Sequence, residues 1–307
     1  MNATVLYTIL SLTTLGIIAA VILYFVAKRF KVYEDPLIDT VEAALPGSNC
    51  GGCGYAGCRN LAENLVKSAS MDSLFCPVGG NETMSKIAAL LGRNAVAQDP
   101  RVAVLRCNGT CEFRPKINHY DGADSCAIVS ALYSGETGCQ YGCAGFADCV
   151  VVCKFDALHM DPFTDLPVVD EDKCTSCGAC VKACPKNLFE LRKRWKGNKK
   201  IYVACMNEDK GGIARKNCSV ACIGCSKCFK VCPFDAIVMN NNLAFIDSVK
   251  CRLCRKCVTE CPTNSIIETG FPVRKPKEET VMADAGEKAG QEVKVSENNI
   301  PGKENVK

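Results

Sequence analysis

Three stretches of the chain share the form C-x2-C-x2-C-x3-C-P, and no other feature restricts its folding as tightly. They are Cys174, Cys177, Cys180 and Cys184; Cys222, Cys225, Cys228 and Cys232; and Cys251, Cys254, Cys257 and Cys261, followed by Pro185, Pro233 and Pro262. This spacing is the bacterial ferredoxin signature for [4Fe-4S] clusters. Three thiolates on a tight loop bind three irons, and the fourth cysteine, on the helix that follows, reaches the neighbouring cluster. Zinc is the competing reading of four sulfurs, but three repetitions in paired motifs favour iron.

The motifs lie within a tandem duplication. Residues 138–158 (GCQYGCAGFADCVVVCKFDAL) align with 217–237 (NCSVACIGCSKCFKVCPFDAI), and 170–188 with 247–265. The segments RVAVLRC (101–107) and KIYVAC (200–205) correspond as well and read as strands. Crossing the ligands within each pair gives specific sets. One cluster takes Cys222, Cys225, Cys228 and Cys261, and its neighbour takes Cys251, Cys254, Cys257 and Cys232. In the first repeat, Cys174, Cys177, Cys180 and Cys153 form another. The remaining motif is irregular, with Phe146 in the place of Cys225 and Lys154 in the place of the proline. It retains Cys143, Cys149 and Cys184, and Cys139, four residues upstream, is the nearest candidate for the missing ligand. Cys218, Cys222 and Cys225 also spell the C-x3-C-x2-C of radical-generating enzymes, but the continuing ferredoxin pattern closes that site.

The compartment decides whether 25 cysteines in 307 residues cross-link or bind metal. Val5 to Ala27 carries no charge, and at about 1.5 Å per residue it spans roughly 35 Å, enough for a bilayer core. Lys28, Arg29 and Lys31 follow, and no cleavage site closes the segment. Basic flanks stay on the cytoplasmic side. The expectation is a single-pass anchor, with every cysteine in a reducing compartment and acting as a metal ligand.

Organisation along the chain follows. Residues 1–27 are the anchor, 28–36 a linker, 37–92 a small helical cysteine module, 93–200 a first ferredoxin-like unit with extra cysteines, 201–268 a second, and 269–307 a charged disordered tail. The fold class is α+β. In the module, PGSNCGGCGYAGC (46–58) supplies Cys50, Cys53 and Cys58, and Cys76 precedes Pro77. These four thiols suit one [4Fe-4S] cluster, whose sulfurs the glycine-rich backbone can approach. Cys107, Cys111, Cys126, Cys205 and Cys218 are left over. Five clusters are expected, and a sixth if Cys107, Cys111 and Cys126 combine with one of Cys139, Cys205 or Cys218. Otherwise these are buried free thiols.

The N-terminal helix, the ALPGSNCGGCGYAGC module and the tandem ferredoxin units, in that order, resemble the B subunit of the Rnf electron-transport complex, in its longer form, over residues 1 to about 268. The resemblance implies an electron-carrying component of an ion-translocating ferredoxin:NAD+ oxidoreductase of the bacterial inner membrane. Its implied partners are the other membrane and flavin-bearing subunits, soluble ferredoxin and the lipid bilayer. The alternatives are a polyferredoxin subunit of another membrane dehydrogenase and a zinc-stabilised scaffold. The residues themselves contain no Ser-His-Asp set, phosphate loop or nucleotide fingerprint, and His119 and His159 read as isolated surface residues. The anchor has no ionisable residue, which places ion passage in other subunits. A net charge of +4, with RKRWKGNKK (192–200) read as a solvated strand end, gives no sign of nucleic-acid binding.

Overall fold

The computed structural model describes residues 3–29, 35–132 and 135–272. Helix α1 (Ala3–Arg29) is apolar along its length. Its Val5–Arg29 stretch is long and apolar enough to cross a membrane, an 18-residue window within it having a mean hydropathy of 2.5. The hydroxyls of Thr8, Ser11, Thr13 and Thr14 are satisfied internally. Thr8 donates to the Val5 carbonyl, Thr13 to Ile9 and Thr14 to Leu10, each at 2.9 Å, so none needs water.

The cysteine module is three helices, α2 (Pro36–Ala44), α3 (Cys58–Lys67) and α4 (Gly80–Leu91). The sequence puts Pro36 in a linker, but it opens α2. Asp35 Oδ1 accepts from Leu37 N at 2.9 Å as an N-cap, and a proline at the first helical position gives up no bonded N–H. Ile38, Val41, Leu61, Leu65, Met84 and Ile87 form the shared core. Burying each is worth about 1.5–3 kcal/mol before entropy is subtracted. That core fixes where α3 begins, and α3 begins at Cys58.

The first ferredoxin unit runs β1 (Arg101–Leu105), α5 (Cys126–Leu132), α6 (Asp148–Val151), β2 (Leu158–Asp161), β3 (Leu166–Val169), α7 (Ala179–Ala183) and β4 (Phe189–Lys193). The second runs β5 (Lys200–Val203), α8 (Gly211–Asn217), α9 (Lys227–Val231), β6 (Ile237–Asn240), β7 (Leu243–Ile246), α10 (Lys256–Thr259) and β8 (Ile266–Thr269). In each, the first and last strands pair antiparallel and a hairpin follows the first short motif helix. β1 pairs with β4, Ala103 facing Leu191, and β5 with β8, Tyr202 facing Ile267. The hairpins are β2–β3 and β6–β7. The duplication read in the sequence is thus a duplication of topology.

Module and ferredoxin units belong to one compact body that ends at Phe271. The two ferredoxin units meet where Val104 packs with Tyr202 and Ala204. Arg192 lies across this junction at only 2 % exposure, donating to the carbonyls of Ile201 (3.0 Å) and Ile246. The stretch 192–200 is therefore not a solvated strand end. Lys200 is also buried and holds Glu171 at 2.5 Å, while Lys193 pairs with Asp99 and Arg194 with Asp172, each at 2.7 Å. Burying a cation demands a partner, and folding supplies partners remote in sequence. The tail expected over 269–307 falls, from residue 273 on, outside the described residues.

Candidate metal centres

Each four-cysteine loop holds two left-handed residues two positions apart, the second of which caps the helix that follows. Ala147, Gly178, Ser226 and Arg255 have φ of 61, 75, 57 and 66° and form the N-caps of α6, α7, α9 and α10. The turn reverses the loop so that thiols before it face the thiol just inside the helix. For three non-glycine residues this costs about 1 kcal/mol or more apiece. The third cysteines of the motifs, Cys149, Cys180, Cys228 and Cys257, sit in those helices and are buried. Cys184 and Cys232 cap the ends of α7 and α9. The fourth cysteine thus ends its helix rather than lying within it, which aims it away from its own loop.

The thiols gather accordingly. Cys222, Cys225, Cys228 and Cys261 line one cavity beneath Met239 and Ile266. Cys153, Cys174, Cys177 and Cys180 line another beside Leu191. Cys257 has Cys251, Cys254 and Cys232 as close electrostatic neighbours. In the module, Cys76 lies near Cys53 and Cys58, and its Sγ accepts from Gly79 N at 3.4 Å. Cys50 is in the same loop, immediately before the turn closed by Gly54 N to Gly51 O at 3.1 Å.

The irregular motif departs from the sequence reading. Cys143, Cys149 and Cys184 share their cavity with Cys126, not with Cys139. Asp148 causes this. Its Oδ2 accepts from Ser125 Oγ (3.0 Å) and Ala127 N (3.1 Å), pinning the start of α5 and the Cys126 thiol over the loop. Phe146, in the position of the missing cysteine, turns instead against Tyr120, edge to face at 5.6 Å. Cys139 lines a different cavity, with Cys107, Cys205 and Cys218. The sixth set expected around Cys107, Cys111 and Cys126 is therefore not assembled. Cys111 stands apart, exposed, with its Sγ 3.1 Å from Asp165 Oδ2. His119 and His159 are exposed, as expected.

Burial pushes the free thiols of Cys143, Cys149, Cys180, Cys205 and Cys257 up to about 12 and Cys228 up to about 11. Desolvation disfavours a bare thiolate, and the positive charge of a bound metal would offset it. Burial would raise Cys261 too, but hydrogen bonds from Ser265 (3.2 Å) and Thr263 (3.8 Å) hold it below the ordinary thiol range. Among the described residues no three Cys, His, Asp or Glu side chains are close enough to share one ion. A zinc ion needs four sulfurs at about 2.3 Å from one centre. Sets of four sulfurs spread around a cavity suit a multinuclear cluster, and the donor set is the one such clusters use.

Comparison with known proteins agrees. Residues 45–72 match a family model described as "Putative Fe-S cluster", 167–190 a 4Fe-4S binding domain, and 221–265 a 4Fe-4S dicluster domain. The chain is 45% identical over 76% of its length to the B subunit of the Na(+)-translocating ferredoxin:NAD(+) oxidoreductase complex of Acetobacterium woodii, covering 68% of that protein. It is 40% identical over 81% of its length to the B subunit of the ion-translocating oxidoreductase complex of Methanosarcina acetivorans, covering 93%. The chain belongs to the Rnf B-subunit family. A third Rnf B subunit, that of the proton-translocating complex of Clostridium ljungdahlii, is 41% identical over 80% of this chain and 84% of its own. As a member of the Rnf B-subunit family the chain is an electron-transfer protein that carries [4Fe-4S] clusters and belongs with other subunits of a complex. Missing from the sequence reading was the place of Cys126 in the cavity of Cys143, Cys149 and Cys184, whose signal was its lack of any counterpart in the second repeat, just as Cys225 has none in the first.

Proposed function

We propose that the chain is the electron wire of a membrane-bound, ion-translocating ferredoxin:NAD+ oxidoreductase, running from the Cys50–Cys76 module through the two ferredoxin units. The bound [4Fe-4S] clusters would supply one-electron redox chemistry. Five thiol sets would hold them: Cys50, Cys53, Cys58 and Cys76; Cys153, Cys174, Cys177 and Cys180; Cys126, Cys143, Cys149 and Cys184; Cys222, Cys225, Cys228 and Cys261; and Cys232, Cys251, Cys254 and Cys257.

The observation that carries this reading is the contact between the module and the first unit. Gly52 lies so close to the Cys174–Cys180 loop that a Cβ there would stand 2.6 Å from the Cys177 carbonyl oxygen. Lys182 Nζ also donates to the Gly51 carbonyl at 3.3 Å. One four-thiol loop thus rests directly on the next. Within each unit the two sets adjoin, since Cys149 neighbours Cys180, and Cys228 neighbours Cys257.

Cys225 and Cys254, in the second unit, are exposed, and so are Lys227, Lys230, Lys250, Arg252 and Lys256, their near neighbours in sequence. Phe229 and Val249, next to Lys230 and Lys250 in the chain, are exposed as well. Exposed cations with exposed apolar residues beside them in sequence suit an acidic carrier such as soluble ferredoxin. Helix α1 would anchor the chain in the cytoplasmic membrane, its basic end (Lys28 and Arg29) and the cluster domains on the cytoplasmic side.

The test is the anaerobically purified protein. Iron and labile sulfide in equal amounts are expected, with paramagnetic signals that appear on titration with reduced ferredoxin and weaken at high salt. A colourless protein containing zinc and no iron would overturn the reading.

A further inference from the structure

The five sets fall into two groups, those of the module and the first ferredoxin unit and those of the second unit. Between the units lies the cavity of Cys107, Cys139, Cys205 and Cys218. We propose that these four thiols hold an additional [4Fe-4S] cluster, with Arg114 as its counter-cation, and that it is the link by which electrons cross between the units. The proposal rests on the electron-transfer reading above.

The four residues are two equivalent pairs. Cys107 follows β1 as Cys205 follows β5, and Cys139 aligns with Cys218 at the same offset of 79 residues that separates Cys153 from Cys232. Each repeat therefore donates the same two thiols, and the set closes only where the copies meet. None of the four belongs to another set. Asn108 N donates to the Ala204 carbonyl at 3.0 Å and Ser219 N to the Phe113 carbonyl at 3.0 Å, fastening both strands' exits around the cavity. Asn207, fully buried, donates its backbone N–H to Cys205 Sγ at 3.4 Å and its side chain to Cys139 Sγ at 3.5 Å.

Arg114 is the independent sign that an anion belongs there. It lines the same cavity at 7 % exposure. Its Nη2 donates to the Cys143 carbonyl at 2.8 Å, while its buried Nε has no hydrogen-bond partner. Among the described residues no carboxylate lies within ion-pair distance of it. A Cβ on Gly109 would sit 3.2 Å from Arg114 Nε and 3.3 Å from Cys218 Sγ, so cation and thiol face each other across a bare glycine. A buried guanidinium without a counter-charge is expensive. A cluster in four thiolates is anionic and supplies that charge.

The site has a neighbour on each side. Cys143 of the first unit adjoins Cys107, and Cys222 of the second adjoins Cys205. A cluster held by these four thiolates would supply one-electron exchange, one electron arriving from the set on one side and one leaving to the set on the other. No bond is made or broken and no proton moves.

The test uses the full chain, purified anaerobically, with iron counted and each cluster's potential followed by paramagnetic resonance. Wild-type protein should hold about twenty-four irons, and Cys139→Ala and Cys205→Ala each about four fewer. The double variant should lose no more than either single one, and Cys111→Ala should lose none. Arg114→Gln should keep its iron yet lower one cluster's potential, because losing a positive charge disfavours the reduced, more anionic form; Arg114→Lys should restore most of the shift. About twenty irons in the wild type, unchanged by Cys139→Ala and Cys205→Ala, would overturn the junction cluster while leaving the wire reading in place. Absence of iron altogether would overturn both. An unshifted set of potentials in Arg114→Gln would remove the arginine from the site.

Discussion

The side-chain amide of Asn207 donates to Sγ of Cys139 at 3.5 Å, tying the second repeat to a thiol of the first. Its backbone N–H donates to Cys205 Sγ at 3.4 Å, and its own Oδ1 accepts from Asp209 N at 2.7 Å. A buried amide engaged on every side holds the two repeats together at one place. Asn207→Ala removes a donor to sulfur and leaves a void, which costs about 1–3 kcal/mol. Donors to cluster sulfur also favour the reduced state. The expected outcome is a lower denaturation midpoint together with a lower potential for one centre, the others unmoved. A variant that loses stability with no change in any potential would make Asn207 purely structural.

Cys126 and Cys139 provide a test by non-additivity. If Cys126 completes the set of Cys143, Cys149 and Cys184, then Cys126→Ala and Cys143→Ala each cost about four irons, and so does their combination. Cys126→Ala with Cys139→Ala should cost about eight. Should the Cys139 and Cys143 pair behave as one set instead, the Cys139 ligation expected from the sequence alone would be right and the cavity assignment wrong.

That contrast marks what the sequence discloses. Ligand spacing, strand correspondence and crossed pairing depend on short loops whose geometry the cysteine intervals dictate. The partner of an incomplete motif depends on where a remote segment packs. Cys126 reaches the cavity of Cys143, Cys149 and Cys184 because Asp148 seizes the start of α5, a side-chain contact over 23 residues that no interval reveals. Cys139 was the nearest thiol along the chain and is held elsewhere by Asn207, a residue 68 positions away. The alignment pairs Cys139 with Cys218 and Cys107 with Cys205, but only folding brings the four thiols to one cavity. Arg192 and Lys200 misled for a related reason: charge reads as exposure until Glu171 and the carbonyls of Ile201 and Ile246 are brought in from other segments.

Crossed ligation makes its own prediction. Cys232 caps the end of α9 and lies beside Cys251 and Cys257. Cys232→Ser should therefore perturb the centre of Cys251, Cys254 and Cys257 and leave that of Cys222, Cys225 and Cys228 nearly intact. Cys261→Ser should do the reverse. Its Sγ is held by Ser265 at 3.2 Å, so Ser265→Ala should lower only the potential of the Cys222-containing centre. Spectra in which each substitution damages the loop nearest in sequence would rule out the crossing.

The contact of Gly52 with Cys177 separates holding a cluster from handing on an electron. A Cβ at position 52 would meet the Cys177 carbonyl oxygen at 2.6 Å and its Cα at 2.9 Å. Both are backbone atoms of a loop whose shape its thiols fix, so neither side can yield cheaply. Gly52→Val should therefore push the module off the first unit. The module's helical core, Leu61, Leu65 and Ile87 among it, lies away from this contact and should stay folded. Iron content should match the wild type. Electron tunnelling, in contrast, falls steeply with distance, and the module's centre should be reduced far more slowly than the ferredoxin units when reduced ferredoxin is mixed with the protein. Rapid-freeze paramagnetic resonance would resolve the two. Substitution of Gly54 by alanine is the control, since nothing lies within 4 Å of its would-be Cβ. Its φ of 88° instead strains the loop that carries Cys53, so iron should be lost there rather than speed. Full iron in Gly52→Val with an undiminished rate would show that electrons reach the module by another route than the Cys174–Cys180 loop.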